Sequence, residues 1–248
     1  MRITKPGRQK TRSFLVTLMF IMGQALGAGP AMGQTDSDYV TGGHIFENFD
    51  SGSLAGFTQF ADFPAVWSVD SVNNTLVGTG GRQAKLIANG LTAKDTSVEV
   101  LVREAVDGGV VARFQDNGNY YLLAIRDGSK YPANLEISKR VAGTYVSLGI
   151  EPVSWSDGAP AAIKFVVRGS ILEAYFNEQK VLSVTDDSIT AAGAVGMRQC
   201  TVLDGGNDAV LYDEFMVTDL DYTTPDGEES VPGPEDEMIN INLLSPIL

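Results

Sequence analysis

Cysteine and histidine are nearly absent from this 248-residue chain: Cys200 and His44 are its only examples. One cysteine cannot close an intramolecular disulfide, and one histidine with one cysteine cannot complete a zinc site. Neither a phosphate-cradling Gly-x-x-x-x-Gly-Lys loop nor a Gly-x-Ser-x-Gly nucleophile elbow occurs. Positive charge is scarce as well. Eighteen Lys and Arg face 31 Asp and Glu, for a net charge of −13. That sign disfavours nucleic acid and anionic membrane as partners, because their phosphates repel it. Long apolar runs are missing too: FLVTLMFIM (14–22) falls far short of the roughly 20 residues a spanning helix needs.

What is present at the start is a leader. Arg2, Lys5, Arg8, Lys10 and Arg12 precede the short apolar run with no acid among them, and the small-residue stretch GQALGAGPAMGQ follows it. A basic segment, a short apolar segment and an Ala-x-Ala-like site describe a secretory signal peptide over residues 1–33. Ala31-Met32-Gly33 places cleavage after Gly33, with Gly27 as the alternative. The stretch KTRSFLV resembles a twin-arginine signal, but Thr11 stands where the first arginine belongs, so general secretion to the periplasm or outside is expected. Loss of the leader's five basic residues leaves 13 basic against 31 acidic residues, a mature net charge of −18. An anionic polymer is then awkward unless a local basic patch overrides the field.

Residues 34–43 read as a linker. From 44 to 220 short apolar runs alternate with Gly, Asn, Asp and Ser. Candidate strands include HIFENF, VWSV, TLVG, AKLIA, TSVEVLVRE, GVVARFQ, YYLLAIR, NLEISKRV, TYVSLG, AIKFVVR, ILEAYF, KVLSV, GAVGMRQ and AVLYDEFMV. Many such runs without a helical period predict an all-β antiparallel sandwich or barrel. VVRGSILEAYF is the clearest hairpin, with Gly169-Ser170 as a two-residue turn. Its alternation sets Ile163, Phe165 and Val167 against Lys164 and Arg168, and Leu172, Ala174 and Phe176 against Glu173, Tyr175 and Asn177. Residues 221–248 open with DYTTPDGEESVPGPEDE, an acidic Pro/Gly-rich tail that cannot bury a core. Cys200, inside GAVGMRQCTVL, reads as a small, partly buried apolar residue.

The order of segments FENFDSGSLAGF, AVWSVDSVNNTLVG, GGVVARFQDNGNYYLLAIRDG, NLEISKRVAGTYVSLG, IKFVVRGSILEAYFNEQKVLSVTD, GAVGMR and LYDEFMV resembles the laminin-G-like branch of the concanavalin A-like lectin/glucanase superfamily. The resemblance implies an antiparallel two-sheet jelly-roll sandwich with one concave sheet, where sugar-handling members usually hold their ligand. It does not choose among lectins, carbohydrate-binding modules, hydrolases, lyases and adhesion modules.

Parity then selects candidate residues. On TSVEVLVRE, Val98, Val100 and Val102 point inward, leaving Glu99, Leu101 and Arg103 outward. On the next two runs, Val110, Ala112 and Phe114 oppose Val111, Arg113 and Gln115, and Tyr121, Leu123 and Ile125 oppose Tyr120, Leu122, Ala124 and Arg126. If the three strands are neighbours, Glu99, Arg103, Arg113, Tyr120 and Arg126 share one sheet face, suited to hydroxyl or carboxylate recognition. Ordinary cross-strand pairing on a solvated face produces the same pattern. Glucanase relatives resemble one another in a Glu-x-Asp-x-x-Glu strand, whose nearest match here, Glu99 to Glu104, has Leu101 in place of the middle acid. On an unbulged strand these two glutamates also face opposite sides. The resemblance further implies a structural Ca²⁺ where first and last strands meet, with Asp50 of ENFDSG and Asp213 of LYDEF as ligands; both are equally ordinary turn or strand acids. His44, at the edge of the first strand, reads as a surface or capping residue.

The reading favoured on these grounds is a secreted protein that binds extracellular polysaccharide without cleaving it. A polysaccharide lyase or glycoside hydrolase with a nonstandard site is the alternative on the same fold. A protein-binding adhesion or matrix module is the third.

Overall fold

The computed structural model describes residues 43–62, 65–126, 132–155, 159–200 and 209–222. The signal-peptide expectation (1–33) lies outside the described residues, as do the linker (34–43) and tail (221–248) apart from Gly43, Asp221 and Tyr222. Fifteen strands follow one another among the described residues: β1 (His44–Glu47), β2 (Phe57–Phe60), β3 (Val66–Asp70), β4 (Thr75–Thr79), β5 (Ala84–Ala88), β6 (Thr96–Ala105), β7 (Gly108–Asp116), β8 (Asn119–Arg126), β9 (Asn134–Val141), β10 (Thr144–Pro152), β11 (Ala161–Arg168), β12 (Ile171–Phe176), β13 (Gln179–Thr185), β14 (Ala194–Gln199) and β15 (Ala209–Asp219). The run pattern does not flag β2, whose FTQF carries only two apolar residues.

The strands form two antiparallel sheets in a jelly-roll sandwich. One runs β13-β12-β11-β6-β15-β4-β3, with β1 on the remaining half of β15; the other runs β10-β9-β8-β7-β14-β5-β2. Alternation explains how the sandwich closes. Val98, Val100 and Val102 of β6, Ile163, Phe165 and Val167 of β11, and Val110, Leu123, Ile125 and Met197 of the other sheet are fully buried in one core between the sheets. Burial of each such side chain stabilises the fold by roughly 1.5–3 kcal/mol. Tyr212 adds a polar tie across this core. Its hydroxyl accepts the Gly109 N–H at 2.5 Å and donates to the Arg198 carbonyl at 2.5 Å, joining β15 to β7 and β14.

The β11–β12 hairpin follows the sequence pattern residue by residue. Arg168 pairs with Ile171 across Gly169 and Ser170, and Gly169 takes φ +56°, which a side chain there would resist. The β7–β8 hairpin departs from it at one residue. Gly196 of β14 pairs with Val111 and Ala194 pairs with Phe114, leaving Ala112 and Arg113 opposite Val195 alone. This is a β-bulge, with Arg113 at φ +47°. Its consequence is a change of parity: Phe114 emerges on the same side as Val111 instead of joining Val110 and Ala112 in the core.

Candidate functional site

The five candidate residues do not share a face. β6 and β7 are consecutive, but the chain crosses between sheets from Ala105 to Gly108, so Glu99 and Arg103 lie on the eight-stranded sheet and the other three on the seven-stranded sheet. Glu99 stands opposite Lys164 of β11, and Arg103 bonds Asp213 of β15 at 3.0 Å. Arg113 does not reach the outer face at all. The bulge turns it inward, where it is fully buried and donates to the carbonyls of Lys94 (2.6 Å), Ile189 (2.6 Å) and Gly169 (2.7 Å) and to Asp95 (3.1 Å). It is a clamp on three loops, closed to any ligand.

β6 is also bulged. Leu101 pairs with Asp213 and Glu104 with Leu211, so Arg103 is the extra residue and Glu104 joins the face of Glu99. Even so, the two backbones are separated by several residues at about 3.3 Å each, with Leu101 and Arg103 between them. A retaining pair of carboxyl groups stands about 5 Å apart.

The calcium expectation meets donors where it needs acceptors. Asp50 accepts from the Asn48 and Asn74 amides, and Asp213 from Arg103 and the Glu214 N–H. Among the described residues no three His, Cys, Asp or Glu side chains gather to hold a metal. The residues present do not fit the ion. His44 sits exposed beside Thr218, and Cys200 is buried.

Tyr120 and Arg126 remain, and both lie on the outer face of the seven-stranded sheet. Here a second apolar cluster forms from Ile87, Val111, Phe114, Tyr120, Leu122 and Ala124, with Phe60 and Ala194 packed on it. Phe114 stacks against Phe60 and Tyr120 at 5.0 and 6.0 Å between ring centres. An open depression of about 420 Å³ adjoins it, lined by Phe60 and Phe114 with Thr58, Asn89 and Gln115 among its polar groups.

Beyond the aromatic cluster the face turns polar. Arg198 of β14 bonds Asp107, while Arg126 of β8 bonds Glu136 of β9 at 2.7 Å and lies 3.8 Å from Asp107. Burial works against charge on Arg126, but Asp107 and Glu136 outweigh it and hold its pKa above the usual arginine value. Arg140 pairs with Asp62 at 3.0 Å. Lys85 of β5 is fully buried; it donates to the Gln83 carbonyl (2.7 Å) and the Asn117 amide oxygen (3.0 Å), with its ammonium 4.9 Å over the Tyr120 ring. Burial pushes its pKa down to about 8; Asp62 works against that fall, while Arg140 and Arg198 add to it.

Two hydroxyls on this face, Tyr120 Oη and Ser138 Oγ, are buried with no hydrogen-bond partner. Arg140 is close enough to Tyr120, and Tyr145 to Ser138, to influence how each phenol ionises. Neither approach closes a bond of good geometry, and distance and angle decide the matter. Lys85, Ser138, Arg140 and Arg198 escape a reading by parity alone. Their signal is a charged or hydroxyl side chain inside an otherwise apolar run, as in AKLIA, LEISK and GAVGMRQ.

No protein-family model and no curated protein sequence matches this chain. Solved structures do. A carbohydrate-binding module, CBM66 from Bacillus subtilis, aligns with a TM-score of 0.55 at 13% identity, over 66% of this chain and 95% of that one. The beta-glucanase of Bacillus licheniformis aligns at 0.55 and 11% identity, over 72% and 98%. The GH43 protein BlXynB from Bacillus licheniformis aligns at 0.56 and 14%, over 70% of this chain but 39% of that one. Identities this low establish the architecture: the chain has the concanavalin A-like jelly-roll fold.

Proposed function

We propose that this is an exported protein that binds extracellular polysaccharide without cleaving it, through the outer face of the seven-stranded sheet and the depression beside it. One observation carries the reading. The depression pairs an aromatic floor, Phe60 and Phe114, with the amide and hydroxyl groups of Asn89, Gln115 and Thr58, and none of its described lining residues carries a carboxyl, imidazole, phenol or amine. Aromatic rings take the apolar face of a sugar ring while amides and hydroxyls take its edge. Hydrolysis needs a pair of carboxyl groups and elimination needs a base; the depression's described lining offers neither, and on the adjoining face Asp62, Asp107 and Glu136 are each held by an arginine while burial keeps the Tyr120 phenol protonated. A carbohydrate-binding module among the structural neighbours is consistent with this choice.

Affinity electrophoresis of the full chain through xylan, β-glucan, levan and pectate gels tests the proposal, with reducing ends and absorbance near 235 nm followed in the same mixtures. Retardation without new reducing ends or unsaturated product is the expected result. Phe60→Ala should weaken retention up to about tenfold, the loss expected for one aromatic contact. New reducing ends or rising absorbance overturn the noncatalytic reading in favour of a hydrolase or lyase.

A further inference from the structure

We infer that the outer face of the seven-stranded sheet selects an acidic sugar, whose carboxylate lodges against the Lys85 ammonium and the Tyr120 and Ser138 hydroxyls. This rests on the carbohydrate reading and names the class of carbohydrate.

Charge is the first part of the argument. Every other cation among the described residues of this face has a carboxylate partner: Arg140 has Asp62, Arg198 has Asp107 and Arg126 has Glu136. Lys85 has only two neutral oxygens, from Gln83 and Asn117, for an ammonium with three donors. A cation fully removed from water and left without a counter-ion is costly unless something supplies the negative charge. Among its described residues, Lys85, Arg126, Arg140 and Arg198 meet three carboxylates, Asp62, Asp107 and Glu136, so the face carries one positive charge more than it balances.

Hydrogen bonding is the second part. Tyr120 pairs with Arg140 and Leu122 with Ser138, so Ser138 lies on the diagonal from Tyr120, on the same face. The Lys85 ammonium sits over the Tyr120 ring. The ammonium and the phenol it overlies thus both have protons to give, and the Ser138 hydroxyl adds another unpartnered donor on the same face. Burial raises the Tyr120 pKa and keeps its phenol protonated. A sugar hydroxyl would have to place its own proton somewhere, whereas a carboxylate only accepts and brings the missing charge. Arg140 and Tyr145 border the two hydroxyls and are both partly exposed, so their rotation admits the ligand group. The chain's net charge of −13 opposes an acidic polymer everywhere else on the surface. Selectivity for acid is therefore a property of this one spot.

Isothermal titration of the full chain with oligogalacturonate and oligoguluronate, each beside its methyl ester, tests the inference. At pH 7 the acid form of at least one should bind tenfold or more tighter than its ester. Lys85→Met should erase that preference, and Tyr120→Phe should reduce affinity for the acid about tenfold while leaving the ester unchanged. Raising the pH of the wild type from 7 to 9.5 should also erase it, through loss of the Lys85 proton. Lys85 faces Asp62, Arg140, Arg198 and Cys200; Cys200→Ser should keep the pH response. Wild-type protein that binds acid and ester equally, or neutral xylan and levan in preference to both acids, overturns the inference and leaves the carbohydrate reading standing. Binding of none of these, acidic or neutral, overturns the carbohydrate reading itself. If Lys85→Met does not fold, the wild-type pH response and Tyr120→Phe decide.

Discussion

The β11–β12 and β7–β8 hairpins are built from similar material, short apolar runs ending in arginine, and they use their arginines in opposite ways. In β11 the alternation runs unbroken, so Arg168 ends on the exposed face and the strand's contribution is its buried Ile163, Phe165 and Val167. In β7 one inserted residue turns Arg113 inward, and the guanidinium becomes the anchor for loops at Lys94, Gly169 and Ile189. One of those anchored carbonyls is the turn of the β11–β12 hairpin itself. The regular hairpin is thus held in place by the irregular one, across the sandwich. A bulge here both creates a structural clamp and, by turning Phe114 outward, supplies the aromatic floor of the candidate binding face.

The largest break in this comparison is Arg113→Ala. It removes the donor to the Lys94, Ile189 and Gly169 carbonyls and leaves Asp95 with the Gly169 N–H but without its charged partner, and loss of one partner of a buried charged network costs about 3–5 kcal/mol. Urea denaturation should show that loss as a lower midpoint. Arg113→Gly should be milder by about 1 kcal/mol, since glycine tolerates the +47° φ that alanine resists. Equal losses for the two variants would show that the backbone conformation contributes nothing.

Gly193→Ala comes next. A Cβ on Gly193 would stand 2.5 Å from the Arg113 carbonyl carbon and 2.8 Å from its Cα, while Gly193 is tied to Ala93 by two backbone bonds of 3.0 Å. The clash falls on backbone, so it cannot be relieved by a rotamer, and overpacking of this kind costs about 1–3 kcal/mol. Combined with Arg113→Ala, the two losses should add to less than their sum, because both act on one bulge.

How much of this was legible beforehand follows from the same two hairpins. Period-two alternation identifies β6, β11 and β12 and their inward rows, because a half-buried strand must alternate. It cannot reveal an inserted residue. Nothing in GVVARFQD marks Arg113 as the point where parity changes; the bulge arises from pairing with β14, some eighty residues further on. Sheet membership is equally hidden. β6 and β7 are separated by two residues, which fits a hairpin or a crossing between sheets, and the crossing is what split the proposed cluster. Parity separates Tyr120 from the core row of Tyr121, Leu123 and Ile125, as the two apolar clusters do. Lys85 and Arg198 escape it, because one charge in the short apolar runs AKLIA and GAVGMRQ does not assign a face.

Tyr121 gives a smaller, pH-dependent test. It is the inward aromatic of β8, and its hydroxyl donates to Asp186 at 2.7 Å and accepts the Ile189 N–H at 3.1 Å. Burial opposes the charge on Asp186, yet Lys139, Tyr121 and the Ser188 N–H together lower its pKa to about 2. The unfolded chain therefore takes up the proton first as pH falls. The resulting stabilisation is complete above pH ~4, the ordinary aspartate range, and is lost as pH falls towards about 2. Thermal melts between pH 5 and 2 should show that decline for the wild type, and Tyr121→Phe should flatten it as well as lower stability by about 1 kcal/mol. A decline unchanged in Tyr121→Phe would assign it to other carboxylates.

The smallest expected effect is the one that separates the two arginines most sharply. Arg168 closes β11 on an exposed face, where its charge helps hold the Glu173 pKa down. Arg168→Ala should therefore change stability by less than about 0.5 kcal/mol, as exposed substitutions away from caps and networks do. Arg113 and Arg168 each follow two β-branched or small apolar residues near the end of a strand, so composition alone would rank them alike. The ratio of their measured losses reports the bulge directly. If Arg168→Ala proves as costly as Arg113→Ala, the guanidinium clamp is not what sets the two hairpins apart, and the outward turn of Phe114 would need another cause.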